Sequence, residues 1–273
     1  MTPSWNALVT ADGSPTLVHP LHGEACHSRA GAWQEARERY AVACRLAAFR
    51  GAELRLLDVG TGLGLNVAAA LEALAPNRTP LRVVTLEQDA SVLFATLALA
   101  RSTPFPPEID RWHAPVRAAI ERALSGERDV PLGGGTFALH LGDARDILPQ
   151  LPRALAFDAV FLDPFSPRIE PELWQPAFLR EIASRMAPGS RLSTYSASMS
   201  VRAGLLAAGL RVGPGARVGT KSSGTLASPD EDPGAFDART QRRLAKRGRD
   251  LADAPGLEPV ADSSPGERLR AAP

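Results

Sequence analysis

The stretch Asp58-Val-Gly60-Thr-Gly62-Leu-Gly64-Leu-Asn66 decides the fold. Before it, Leu54–Val59 is a short apolar run of strand character. After it, residues 67–75 are rich in Ala and Leu and read as a helix. Three glycines between a strand and a helix permit a tight turn and bring backbone N–H groups close to a ligand at the helix N-terminus. The spacing differs from a dinucleotide fingerprint, because position 65 is leucine where G-x-G-x-x-G requires glycine. No Gly-Lys-Ser/Thr follows, which removes a P-loop.

Working outward, residues 81–86 form a second apolar strand that ends at Glu87, where a carboxylate can accept both hydroxyls of a ribose. Residues 90–100 read as a helix. Two more strand signals lie at 137–141 and Phe157–Leu162, and a fifth near 191–195. Continuous apolar runs of this kind fit a parallel sheet covered on both faces by helices. Leu141-Gly-Asp143-Ala144 follows the third strand, where Asp143 is a favoured cap for the next helix. Phe157-Asp-Ala-Val-Phe-Leu-Asp163-Pro-Phe165-Ser-Pro167 sets Asp163 at the carboxyl end of a buried strand, the edge where open α/β sheets bind ligands. Asp-Pro also serves simply as a turn. A carboxylate at that edge can accept the N–H bonds of an attacking amine and aim its lone pair, while Phe165 offers a flat face to a base.

The chain has 273 residues, enough for one α/β domain with extensions, and 44% of them are hydrophobic. Its 31 basic and 30 acidic residues leave a net charge of +1, which excludes a uniform polycation and a highly charged disordered chain. All but Lys221 and Lys246 of the basic residues are arginine. Cys26 and Cys44 are the only cysteines, so a disulfide framework is excluded and a reducing, cytoplasmic setting is expected. No apolar run reaches the roughly 18 residues of a membrane span, and the first residues lack the pattern of a signal peptide. His19, His22, Cys26 and His27 lack a matching second pair of ligands, so no metal site is expected. Between Arg180 and Thr225 seven basic residues meet only Glu181, an asymmetry that predicts a face for phosphate contacts. Residues 101–136 read as a long Pro/Gly-rich connector, and from about Pro229 the scarcity of bulky apolar residues predicts a disordered tail.

The glycine loop, the strand-end acid Glu87 and the Asp143 element together resemble class I S-adenosylmethionine-dependent methyltransferases. The whole set of motifs resembles one family, the MnmC-like (DUF752) tRNA methyltransferases of the stand-alone MnmD type. Gly60–Asn66 is similar to that family's G-x-G-x-G-L-N. Phe161-Leu-Asp163-Pro-Phe165-Ser-Pro167 with Pro171-Glu-Leu-Trp174 is similar to F-L-D-x-F-[AS]-P…P-x-[ML]-W. Ser28, Gly31, Glu35 and Arg37 resemble an N-terminal block expected beside the cofactor. Val201-Arg202…Gly209 and Gly219-Thr-Lys221 resemble later blocks. Two positions depart: Ser190 stands where a second glycine is usual, and Pro164 where glycine is more frequent.

The resemblance implies a Rossmann-like α/β fold, a twisted and mostly parallel sheet with helices on both faces. It implies an N-terminal cofactor-side extension over 1–50, a methyltransferase domain over 51–228 and the tail over 229–273. S-adenosyl-L-methionine is expected to be held by Glu35, Gly60, Gly62, Gly64, Asn66, Glu87, Asp143 and Ala144. Asp163 is the expected catalytic residue, and Phe165, Arg202 and Lys221 are expected to meet the substrate. The implied reaction is N-methylation of 5-aminomethyl(-2-thio)uridine at the tRNA wobble position, with the anticodon stem-loop as partner. A monomer or weak dimer is expected, coupled to a separate oxidoreductase, since only about 45 residues follow the match and the FAD-dependent second activity is not expected here. A class I methyltransferase or aminopropyltransferase acting on another amine is the alternative.

Overall fold

The computed structural model describes residues 4–219 and 223–252. Two short antiparallel strands come first, β1 (Asn6–Val9) and β2 (Pro15–Val18), joined by a turn that Asp12 organises. Its carboxylate accepts from the Ser14 N–H at 3.0 Å and from the Gln34 N–H at 2.8 Å, which ties the hairpin to α1 (Ala32–Glu35). From Ala36 to Val42 the helix continues with the wider π pitch.

Then the βα alternation begins: β3 (Leu54–Val59), α2 (Leu65–Leu74), β4 (Leu81–Glu87), α3 (Ala90–Ser102), α4 (Pro107–Leu124), β5 (Val130–Leu132), β6 (Gly135–Leu141), α5 (Ala144–Ile147) and β7 (Phe157–Leu162). The chain ends with α6 (Pro176–Ala183), β8 (Met186–Thr194), α7 (Met199–Ala207), β9 (Arg211–Pro214), β10 (Thr225–Ser228) and α8 (Ala238–Ala252). Eight strands form one sheet in the order β5-β6-β4-β3-β7-β8-β10-β9. The five from β6 to β8 run parallel, whereas β5, β10 and β9 pair antiparallel at the two sides. The mostly parallel sheet expected from the apolar runs is therefore present, with antiparallel margins.

One core packs on each face of the sheet. Leu54, Leu56 and Val83 point to the side covered by α2 and α4, and Leu57, Val84 and Val160 to the side covered by α6 and α7. Strand order reverses at β3, whose neighbours are β4 on one side and β7 on the other. The carboxyl end of β3 is thus the crevice where doubly wound sheets take their ligands. Among the described residues no helix is long and apolar enough to cross a membrane.

Two sequence expectations change. The connector predicted over 101–136 contains α4, an 18-residue helix. Ile109, His113, Val116 and Ile120 recur on one face of it and are buried. Pro107 stands in the first turn, where its missing N–H costs nothing. Pro115 is inside the helix, and burial of that face outweighs the break a proline alone would signal. The predicted disordered tail also has structure over 229–252. Leu244 is buried, and at Gly248 the chain closes on Leu206 of α7 so tightly that a Cβ would lie 2.7 Å from its Cδ2. Residues 253–273 of that tail lie outside the described residues.

Candidate active site

The glycine loop is built by close approach. Gly60 has φ +88°, and a Cβ there would sit 2.6 Å from the Asp163 carbonyl oxygen, so only glycine lets the ends of β3 and β7 meet. Gly64 has φ +74°, and its Cβ would meet Val116 of α4 at 2.8 Å. His113 secures that cover: its Nε2–H donates to the Leu63 carbonyl at 2.7 Å, while Nδ1 accepts from Arg117. Burial pushes this imidazole down to about 3, so it stays neutral. Gly62 differs from both, with φ +47° and, among the described residues, no atom within 4 Å of where a Cβ would be. The space above Gly62 is open to a ligand.

That space is a cavity of about 460 Å³. Gly60, Gly62 and Asn66 form its floor, Glu87 and Val92 one wall, Asp163, Phe165 and Tyr195 another, and residues 24–30 with Glu35 the roof. Glu87 accepts the Gly62 N–H at 2.9 Å through Oε2 and the Asp89 N–H at 3.0 Å through Oε1. Burial pushes its carboxyl up to about 7. Asp58 beneath it is also pushed up to about 7 by burial and accepts the Thr85 hydroxyl at 2.8 Å.

Asp163 is held at both of its oxygens. Tyr40 donates its hydroxyl to Oδ1, and Asn66 donates from Nδ2 to Oδ2 at 2.8 Å. The other polar atom of Asn66, Oδ1, is buried with no partner among the described residues. Burial, reinforced by the charge of Glu35, raises the proton affinity of Asp163 well above that of an ordinary carboxylate. The π-helical stretch matters here. Wider pitch brings Tyr40, five residues after Glu35, to the cavity side, whereas Arg39 turns to Glu35 with Nε 3.1 Å from Oε1. Glu35 uses its second oxygen to accept the Ser28 N–H at 2.6 Å, which fixes the roof.

The loop after Asp163 is held just as fully. Tyr195 donates to the Pro164 carbonyl at 3.0 Å, Trp174 Nε1 to the Phe165 carbonyl at 2.9 Å, and the Phe165 N–H to Glu170 at 2.7 Å. The Phe165 ring meets His19 edge-on at 5.1 Å and stacks on Trp5 at 6.3 Å. It also borders a second cavity, of about 310 Å³, lined by Trp5, His22 and Asp89 among others.

Of the residues proposed from sequence, Glu35, Gly60, Gly62, Asn66, Glu87, Asp163 and Phe165 line the main cavity together. Gly64 instead caps α2 beneath α4. Asp143 and Ala144 are not in the cavity lining. Asp143 caps α5 by accepting the Arg145 N–H at 2.8 Å, and its carboxylate pairs with the Arg145 guanidinium. Arg202 is no free substrate contact: it is buried, donates to Thr225, Ser223 and Gly224, and stacks on Phe236 at 4.4 Å. Lys221 lies outside the described residues. The basic face predicted over 180–225 is not continuous. Arg185 is buried among the carbonyls of Leu148, Leu151 and Pro152, and Arg191 is buried against Glu231. Ser28, from the block expected beside the cofactor, is in the lining as well, whereas Glu24, Tyr40, Glu170 and Tyr195 are site residues to which the sequence reading assigns no role. Tyr40 and Tyr195 carried a signal, since a tyrosine on an apolar face needs a hydroxyl partner.

A parallel sheet with a glycine loop at its switch point, an acid at the end of the next strand and an open cradle over Gly62 defines an S-adenosyl-L-methionine-dependent methyltransferase of class I. Residues 107–230 match the model of an S-adenosyl-L-methionine-dependent methyltransferase family. Over 249 residues the chain is 32% identical to the tRNA 5-methylaminomethyl-2-thiouridine biosynthesis bifunctional protein MnmC of Chromobacterium violaceum, covering 85% of this chain and 36% of that protein. The corresponding protein of Aromatoleum aromaticum is 35% identical over 207 residues, covering 73% and 31%. Among solved structures, MnmC2 from Aquifex aeolicus superposes with a TM-score of 0.74 at 32% identity, covering 89% of this chain and 76% of that one. The chain belongs to the MnmC methyltransferase family. It spans about a third of the length of the curated relatives it matches.

Proposed function

We propose that this enzyme methylates the amine of 5-aminomethyl(-2-thio)uridine at the tRNA wobble position, giving the 5-methylaminomethyl product. Asp163 carries the reading: a walled-in carboxylate of raised proton affinity, aimed by Tyr40 and Asn66, beside an open glycine loop. The cavity suits the cofactor because Gly62 leaves room for it, Glu87 presents a carboxylate to hydroxyls, and Asn66 Oδ1 is a buried acceptor without a donor. When bound, S-adenosyl-L-methionine supplies an electrophilic methyl group on a sulfonium.

The chain's own residues then prepare the amine. An aminomethyl group arrives as an ammonium ion. Glu24, Glu35, Glu87, Glu170 and Asp163 give the cavity an acidic lining that favours such a cation. Asp163 takes one proton from it, and its raised proton affinity makes that transfer easier than for an ordinary carboxylate. Each of its oxygens keeps a lone pair beyond the bond from Tyr40 or Asn66, so it can still accept an amine N–H and orient the nitrogen. Phe165 gives the base a ring to lie against. Glu35, held by Arg39 and Ser28, keeps the roof over the site. In this reading the protein works in the cytoplasm with the tRNA pool, after an oxidoreductase activity has supplied the aminomethyl group.

The acidic lining also suits a small polyamine, which is the second reading. One experiment separates them. The protein is mixed with labelled S-adenosyl-L-methionine and tRNA carrying an aminomethyl wobble uridine, and the digested nucleosides are identified. Label in the 5-methylaminomethyl nucleoside supports the proposal. Label absent from tRNA but present in a small amine overturns it.

A further inference from the structure

We propose that the outer face of α8 is a docking surface for the sugar–phosphate backbone of RNA; this rests on the tRNA reading above. The helix has two opposed stripes. Leu244, Gly248 and Leu251 recur at helical spacing on the face that packs against α7, with Leu244 and Gly248 buried. Arg239, Arg242, Lys246 and Arg249 recur at intervals of three, four and three on the opposite face, and all four are exposed. Arg243 and Arg247 flank that row and are also exposed. Among the described residues no carboxylate pairs with any of the six.

These cations stand on a fixed mount. The Gly189 N–H donates to both carboxylate oxygens of Asp230, at 2.9 and 3.0 Å, and Arg191 Nε donates to Glu231 at 2.6 Å. A Cβ at Gly213 would lie 2.5 Å from the Gly234 carbonyl oxygen, so the chain entering α8 lies directly on β9. Phe236 sits under the Arg202 guanidinium. Arg191 and Arg202 thus act as struts, and a row of exposed charge stands on the helix they help to hold.

Charge complementarity selects the occupant. At about 1.5 Å per residue, Arg239 to Arg249 spans roughly 15 Å, the run of about four phosphates on one strand. A lipid surface fits poorly, because the apolar stripe that would enter it already lies against α7.

The test compares the full chain with a variant carrying Arg239→Gln, Arg242→Gln, Lys246→Gln and Arg249→Gln. Glutamine keeps helix propensity, and a second variant restores Arg242 and Lys246 together. Fluorescent tRNA with an aminomethyl wobble uridine is titrated across a salt series, and methylation is measured on the same tRNA. Expected are at least a tenfold loss of affinity at low salt and a fall of about 3 in the slope of log affinity against log salt, at roughly 0.7 per lost contact. The loss of turnover should fall on KM, the melting temperature should hold, and the second variant should recover part of the slope. An unchanged slope and KM in the quadruple variant, with tRNA still methylated, overturns this surface and leaves the methylation reading standing. Normal tRNA binding with lost binding of poly-glutamate also overturns it, in favour of an acidic protein. A wild type that binds tRNA through α8 without methylating it supports the surface and sinks the function. A wild type that binds no tRNA removes both.

Discussion

Glu87→Gln should weaken cofactor binding and abolish its pH dependence. In the structure Glu87 accepts two backbone N–H bonds, and burial pushes its carboxyl up to about 7. A ribose diol is best accepted by the ionised form, because hydrogen bonds to a charged acceptor are worth about 1.5–3 kcal/mol each. The ionised fraction rises from about a tenth at pH 6 to about nine-tenths at pH 8, so wild-type affinity should improve roughly tenfold over that interval. The sign follows from proton counting: the bound state holds fewer protons than the free one, so raising pH favours it. Glutamine keeps the shape and one acceptor but loses the charge. Its affinity should be about 10- to 30-fold weaker than wild type at pH 8, and nearly equal at pH 6. Titration calorimetry in two buffers of different ionisation enthalpy should count about half a proton released by the wild type at pH 7, and far less by the variant. Asp58 shares the raised value, to which the Glu87 charge adds, but it lies under the loop against Thr85 and does not line the cavity, so it makes no contact with the ribose in either protein. A wild-type affinity that is flat from pH 6 to 8, or a variant that keeps the slope, refutes the assignment.

Asp163→Asn should leave cofactor affinity within a few-fold, by calorimetry, and cut methylation by at least about 10²-fold, since the acceptor of the amine proton is gone; retained turnover sinks its role. Gly60→Ala should unfold or severely destabilise the protein in a thermal melt, because its Cβ meets the Asp163 carbonyl at 2.6 Å. Gly62→Ala meets nothing, so it should cost only about 1 kcal/mol of stability while blocking cofactor binding; equal melting losses in the two would contradict the close-approach argument. Arg202→Ala should lower stability by about 2–4 kcal/mol in denaturant titration, having lost hydrogen bonds to Thr225, Ser223 and Gly224; a loss under about 0.5 kcal/mol contradicts its structural role.

The cofactor half of the site was legible because its requirements are local. A strand, three glycines, a helix and a strand-end acid occupy consecutive positions, and their geometry follows from φ > 0 at Gly60, Gly62 and Gly64. Asp163 was legible for the same reason, as an acid at the end of an apolar run. Tyr40 and Tyr195 were not, because their value depends on contacts 123 and 31 residues away in the chain. Asp143 shows the limit from the other side: its local fitness as a helix cap is what the structure uses, and Arg145 occupies the carboxylate besides.

Charge was the least legible property, for a physical reason. A guanidinium in sequence is one positive charge wherever it stands, but folding sorts guanidiniums by what surrounds them. Arg185 spends its donors on three carbonyls and Glu181, Arg191 on Glu231, and Arg202 on the segment before β10. Each is desolvated and committed, so none is available to a phosphate. Arg191 and Arg202 also hold the segment that leads into α8, through Glu231 and Phe236, and on α8 the arginines are exposed with no carboxylate paired to them among the described residues. Three of the seven basic residues in that stretch, Arg185, Arg191 and Arg202, are therefore consumed in building the fold, whereas Arg211 and Arg217 stay exposed. A denser row of exposed cations lies on α8, in a stretch whose composition alone suggested no structure at all.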